Sequence, residues 1–265
     1  MLLPRVLTAL VLIPLFLVAL FGLSQRWWGV AMLGIVAVGS MEWGRLIALS
    51  QRGSILFCAA VLAVCALVAG SAAMPDAGFF VLGGAFVLWA VFIPLWLRGV
   101  GAPSKIALAA TGVLVLTSAW YALFDLQASA PRLLALMCVV WIADTGAYFT
   151  GRAFGRHKLA PRISPGKTWE GVAGATVGVA LYYSVLWWFW APSVLLDTRL
   201  LDLAIVAGMT LLSIEGDLFE SWLKRRAGVK DSGAILPGHG GVLDRIDGVL
   251  AALPFAALLT YAARG

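Results

Sequence analysis

Charged residues are scarce in this chain. They make up 12% of its 265 residues, 62% are hydrophobic, and the mean hydropathy is +0.96. Soluble domains carry about 25% charged residues, so the composition excludes an ordinary water-soluble fold. Histidine is nearly absent, at two residues, and cysteine is limited to Cys58, Cys65 and Cys138. These thiols lie inside apolar runs, without paired or metal-ligand spacing, and read as small packing residues. They carry no information about redox compartment. No internal repeat or low-complexity tract is visible.

Long apolar runs are what the chain has in quantity. About 20 apolar residues suffice to cross a bilayer core roughly 30 Å thick. Nine stretches qualify: Val6–Leu23, Trp27–Met41, Ser54–Met74, Gly78–Leu97, Ile106–Phe124, Leu133–Thr150, Trp169–Trp190, Leu200–Asp217 and Val249–Ala263. The second and last are short and call for tilt or flanking residues. An open sheet edge cannot be satisfied in lipid, so each is expected to be a helix. The expectation is an all-α polytopic membrane protein with about nine transmembrane helices. The first run is too long for a cleaved leader, and no small-x-small site precedes Gln25 and Arg26.

The few charges are unevenly distributed. With nine alternating spans, fifteen of the 19 Lys and Arg residues fall on one side, and Arg26, Arg132, Arg199 and Arg264 fall on the other. Basic connections stay cytoplasmic, which puts the N-terminus in the cytoplasm and the C-terminus on the opposite side. The net charge of +6 therefore gathers on one face. That suits anionic headgroups or a polyphosphate better than nucleic acid, for which no soluble basic domain or stacking motif is present.

Residues 1–130 form an N-terminal region of about five spans joined by short links. Glu42 and Arg45 close the second span and read as an interfacial acid–base pair. Trp27, Trp28, Trp187, Trp188 and Trp190 lie near span ends, as an aromatic belt requires. The polar chemistry is confined to residues 131–265, in two cytoplasmic connections, 151–169 and 218–248, and the span ends beside them.

Ahead of the first connection, Asp144 sits inside an apolar run. A carboxylate there costs roughly 2.5–3.5 kcal/mol on insertion scales, so a polar cavity or a partner base is expected. The connection carries Arg152, Arg156, His157, Lys158, Arg162 and Lys167. Within Ser164-Pro165-Gly166-Lys167-Thr168, Pro and Gly imply a tight turn that holds Lys167 in place. Thr168 is suited to capping the next helix, with Glu170 in its first turn. A helix N-terminus beside a fixed lysine suits phosphate. Gly-Lys-Thr is not a phosphate-binding P-loop, because Pro161 stands where that motif needs glycine and no strand is expected before it. His157 reads as a charged-loop residue.

The second connection is dense in polar groups. If the helix of the eighth span continues, Asp217, Ser221 and Lys224 share one face. Arg225, Arg226, Lys230 and Asp231 follow, then Pro237-Gly238-His239-Gly240-Gly241, whose backbone can approach a ligand closely, then Asp244, Arg245 and Asp247. Asp244 and Asp247 are one helical turn apart. Carboxylates among many bases point to a hard cation with phosphate, and Mg²⁺ binds one or two carboxylates plus substrate phosphates. Zinc is disfavoured, since His239 has no second His or Cys nearby.

These residues resemble the phosphatidate cytidylyltransferases, also called CDP-diacylglycerol synthases. Ser221, Leu223, Lys224, Arg225, Lys230, Asp231, Gly233, Leu236, Pro237, His239, Gly240, Gly241, Val242, Asp244, Arg245, Ile246 and Asp247 fit that family's pattern without a departure. The Asp144-Thr145-Gly146-Ala147-Tyr148 segment and the one from Ser164 to Gly171 are similar to it too. The resemblance implies a magnesium-dependent nucleotidyltransferase of phospholipid biosynthesis. It would pass the cytidylyl group of CTP to phosphatidic acid, giving CDP-diacylglycerol and pyrophosphate. On this reading Asp217 and Asp244 hold the metal, and Asp144 and Asp247 form a second tier of catalytic acids. Lys167, Lys224, Arg225, Lys230 and Arg245 meet phosphate, Ser164 and Ser221 donate hydrogen bonds to it, and His239 orients a phosphate or an aspartate. The setting expected is a bacterial inner membrane with the site facing the cytoplasm, and a homodimer is left open. Two alternatives stand beside it. One is a cytidylyltransferase acting on an isoprenoid ether lipid. The other is a transporter, against which the absence of an inverted repeat and the one-sided polar residues both count.

Overall fold

The computed structural model describes residues 3–70, 76–194, 198–235 and 240–263. Helices α1 (Leu3–Gly22), α2 (Gln25–Leu46) and α3 (Gln51–Gly70) open the fold. Helix α4 (Ala77–Val87) runs through a π turn (Leu88–Phe92) into α5 (Ile93–Leu97). The π turn lies just ahead of Pro94, whose missing N–H and bulky ring disturb the preceding turn. Helix α6 (Lys105–Leu126) passes through a 3-10 turn (Gln127–Ser129) into α7 (Ala130–Phe154). Strands β1 (Lys158–Ala160) and β2 (Ser164–Thr168) follow, then α8 (Trp169–Val194), α9 (Arg199–Ala227) and α10 (Leu243–Ala262).

Five stretches among the described residues are long and apolar enough to cross a membrane: Gln51–Gly70, Ala77–Leu97, Lys105–Phe154, Trp169–Phe189 and Leu243–Ala262. Their outer faces stay apolar, with Leu67, Phe80 and Leu181 at least 64% exposed. The chain is an integral membrane protein of mainly helical build. Its helices outrun several of the apolar runs. α2 extends the short second run at both ends, and α10 begins six residues before Val249. α9 continues ten residues past Asp217 and ends where Gly228, at φ 71°, takes the left-handed conformation. The N–H of Val229 then closes on the carbonyl of Lys224 at 3.0 Å.

Hydrogen bonds gather the helix ends into two sets. Gln25 Nε2 donates to Phe124 O at 3.0 Å, and Gln127 Nε2 donates to Leu20 O and Leu23 O at 3.2 Å. In the other set, Lys105 Nζ donates to Ala48 O, Arg226 to Pro103 O, and Arg225 Nε to Ile163 O. Two of the Trp assignments need correction or refinement. Trp28 is fully buried and donates to Leu123 O at 2.9 Å, so it belongs to the core rather than to a belt. Trp187 is half-buried beneath the Arg199 guanidinium, at 4.2 Å. Trp27 and Trp188 are exposed, as expected.

The all-α expectation holds for the five apolar stretches, and the connection after α7 adds one small sheet outside them. Residues 158–168 form an antiparallel hairpin with Lys158 opposite Thr168 and Ala160 opposite Ser164. The turn falls at residues 161–163, and the residues expected to turn are strand β2. A strand therefore does precede Lys167, but Lys167 itself lies in a strand, so the P-loop reading still fails. Helices α7 and α8, which flank the hairpin, pack with their backbones close. A Cβ on Gly146 would stand 2.8 Å from Gly174 O, and one on Gly174 would overlap Thr150. Small residues at helix crossings are how membrane helices gain close van der Waals contact.

Candidate active site

A cavity of 640 Å³ opens where the hairpin meets α7, α9 and α10. Asp144, Asp217, Asp244 and Asp247 line it, together with Arg152, Lys167 and Arg245. Ser164, Gly166 and Thr168 contribute from β2, and Tyr148 and Leu159 complete much of the wall. The two connections, some fifty residues apart in the chain, thus share one space. Four carboxylates face three bases there, before any partner behind the wall is counted.

The hairpin delivers Lys167. Its ammonium lies 2.8 Å from Asp217 Oδ2 and donates to Ile214 O at 3.1 Å. Thr168 caps α8 as expected, accepting from the N–H of Gly171 at 3.1 Å. Glu170, in the first turn, clips the base of the hairpin. It accepts from His157 N at 3.2 Å and lies 2.7 Å from His157 Nδ1. His157 is therefore a structural clip rather than a loose loop charge.

Helix α9 carries Asp217, Glu220, Ser221 and Lys224 beyond the eighth apolar run. Ser221 Oγ donates to Asp217 Oδ1 at 3.3 Å, so it orients the aspartate and does not itself line the cavity. Lys224 is mostly enclosed between two acids, 2.5 Å from Glu220 Oε2 and 2.6 Å from Asp244 Oδ1. The other oxygen of Asp244 accepts from Ser232 N and Ser232 Oγ, each at 2.9 Å, and from Gly241 N at 2.8 Å. Gly240 has φ 81°, and a Cβ on it would come within 2.8 Å of Asp244 Oδ2. Both the left-handed backbone and the close approach require glycine. The loop closes on an aspartate of this chain.

Arg225 and Lys230 are exposed and do not line the cavity. His239 lies outside the described residues. Sequence patterns missed Arg152, Tyr148, Glu220, Ser232 and Glu42. Arg152 and Tyr148 follow Asp144 on α7 at helical spacing, a signal that was available. Glu42 carried none. Its partners are 190 to 201 residues away, and the expected pair with Arg45 is absent among the described residues. Glu42 is fully buried and bonds instead to Ser232, Val242 and Leu243.

Among the described residues no three of His, Cys, Asp and Glu converge tightly enough to hold a metal by themselves. Carboxylate oxygens are the donors that a hard cation such as magnesium would take. Asp217 and Asp244 come from different helices, open on the same cavity, and each already holds a lysine ammonium.

A polytopic helical membrane protein with an acidic and basic cavity at the ends of its helices is the class that this geometry defines. Residues 3–263 match the model of the cytidylyltransferase family, and the chain belongs to that family. It is 40% identical over 271 residues to the phosphatidate cytidylyltransferase of Pseudomonas aeruginosa, across 99% of this chain and 98% of that protein. The phosphatidate cytidylyltransferase of Brucella suis is 39% identical over 265 residues, 96% of this chain and 90% of its own. That of Haemophilus influenzae is 48% identical over 124 residues, 46% of this chain and 43% of its own.

Proposed function

We propose that this protein transfers the cytidylyl group of CTP to phosphatidic acid, forming CDP-diacylglycerol and pyrophosphate. The observation that carries the reading is the convergence of Lys167, Asp217 and Asp244 on one cavity, in a chain of this family. An ionised oxygen of the lipid phosphate attacks the α-phosphorus of CTP. The bond from that phosphorus to the β-phosphate oxygen breaks, and pyrophosphate leaves with the electron pair. The attacking group is already an anion, so no strong general base is needed. Orientation and charge stabilisation suffice. Lys167, Arg152 and Arg245 supply positive charge toward the phosphates, and Ser164 a hydroxyl. Lys224 and Ser221 act one step back, on Asp244 and Asp217.

Asp217 and Asp244 are the residues that would hold magnesium, with Asp144 and Asp247 as further acids of the same wall. Asp244 would do so from a carboxylate that Lys224, Ser232 and Gly241 already orient. The ion would supply positive charge that offsets the charge on the phosphates and on the departing pyrophosphate. Among the described residues, α1, α2, α3, α4 with α5, α6, α7, α8, α9 and α10 are read as nine spans, with the N-terminus and the cavity facing the cytoplasm and the C-terminus opposite. The sorting of basic residues supports this arrangement, and bacterial relatives support an inner-membrane setting.

The test uses detergent-purified protein with CTP and phosphatidic acid, following pyrophosphate and CDP-lipid. Wild type is expected to release both in equal amounts. Asp217→Asn and Asp244→Asn are each expected to lose about a hundredfold in kcat. No CTP-dependent product from wild type overturns the transfer. Turnover near wild type in both variants removes the metal assignment and leaves the transfer standing.

A further inference from the structure

Glu42, on α2, hydrogen-bonds into the loop around Asp244. It lies near the end of α2, is fully buried, and spreads its two oxygens over three donors. Oε1 accepts from Val242 N at 3.0 Å. Oε2 accepts from Leu243 N at 2.8 Å and from Ser232 Oγ at 3.1 Å. Val242 and Leu243 begin α10, so the carboxylate satisfies N–H groups that a helix start leaves without an internal partner. A negative charge at that end also complements the helix dipole. The loop wraps it closely. A Cβ on Gly241 would stand 2.7 Å from Glu42, and one on Gly233 would overlap it.

Ser232 extends this contact to the cavity. Its hydroxyl lies between two carboxylates, 3.1 Å from Glu42 Oε2 and 2.9 Å from Asp244 Oδ2. One hydroxyl proton serves both acceptors, so moving either carboxylate moves the other's partner. We propose that Glu42 is a positioning residue for this site. From α2 it sets the start of α10, and through Ser232 it fixes the Asp244 carboxylate at the cavity wall. Glu42 does not line the cavity and has no contact with substrate to make. Its influence therefore falls on the rate of the chemical step more than on substrate affinity.

The kinetic part rests on the cytidylyl-transfer reading, and the exchange part does not. Full-length Glu42→Gln, Ser232→Ala and the double variant are purified in detergent. Amide hydrogen exchange is followed over residues 240–247, and kcat and the KM for CTP are measured. Glu42→Gln swaps an acceptor for an amide donor facing three donors, and exchange at Val242 and Leu243 is expected to quicken by about tenfold or more. Between about tenfold and a hundredfold of kcat is expected to be lost, with KM within about twofold. Ser232→Ala is expected to lower kcat likewise, and the double variant no further than the weaker single one. Unchanged exchange in Glu42→Gln overturns the proposal, and so does unchanged kcat, or additive losses in the double variant. Should Glu42→Gln not fold, unchanged kcat in Ser232→Ala is the overturning result. If wild type makes no CDP-lipid, the transfer reading fails, and the exchange measurement still decides what Glu42 holds.

Discussion

Lys167 and Lys224 both hold aspartates of the cavity wall, but their surroundings assign them different work. Lys167 arrives on a strand, reaches the open cavity and pairs with an Asp217 that is itself 39% exposed. Removing its charge leaves little uncompensated burial. Lys224 lies 12% exposed between Glu220 and Asp244, each 6% exposed. Breaking a buried pair from one side strands the remaining charge, at a cost of about 3–5 kcal/mol. Lys167→Ala is therefore expected to lower kcat by more than about tenfold while the melting temperature in detergent stays near wild type. A rise in KM for CTP at unchanged kcat would instead mean that Lys167 binds ground and transition states alike. Lys224→Met is expected to lower the melting temperature by many degrees, and a melt at the wild-type temperature refutes the buried-pair account. The lysine of Ser164–Thr168 was legible because Pro and Gly beside it announced a held backbone. The role of Glu42 was not, since nothing local to Glu42 specifies a partner some 200 residues away.

The hairpin and the helix pair that carries it show what an apolar chain hides at the level of elements. Pro165 and Gly166 ordinarily signal a turn, and that cue misplaced the bend by a few residues. Proline lacks an N–H, so it tolerates a strand only at an edge, and a two-stranded hairpin is all edge. The position of the hairpin depends in turn on how closely α7 and α8 approach, and Gly146 and Gly174 set that distance. Hydropathy registers such glycines as merely small. The packing predicts that Gly174→Val, whose side chain has no space beside Thr150, separates the helices. The expected loss is about 1–3 kcal/mol, as for other overpacked positions, with a fall in turnover because Ser164 and Lys167 shift. Gly34→Ala on α2, where a Cβ meets nothing within 4 Å, is the control and should melt within a few degrees of wild type. Equal melting of the two variants would sink the close-packing account.

At the scale of the whole molecule, most of the helices and both polar connections could be read from the chain. Apolar length and charge are the properties a bilayer itself selects on. α1, α2 and α9 were marked by runs that the described helices overrun, because polar residues at a helix end still satisfy the backbone ladder. What composition cannot convey is which helix ends meet. Here the bonds of Gln25 and Gln127 gather one set, and those of Lys105, Arg225 and Arg226 gather the other. Fifteen of the 19 basic residues fall with the second set on the nine-span reading. Moving one of those connections across a membrane would carry several cations through hydrocarbon, so the orientation should be single and fixed. Cysteine labelling tests it, in a chain whose Cys58, Cys65 and Cys138 are replaced by alanine. Ala128→Cys lies at the exposed turn after α6, and Val100→Cys at the exposed link after α5. In sealed spheroplasts an impermeant thiol reagent is expected to label Ala128→Cys at once and Val100→Cys only after lysis. The reverse pattern would put the cavity on the outer face, away from the cytoplasmic CTP pool the proposed reaction requires. Equal labelling before lysis would end the alternating arrangement altogether.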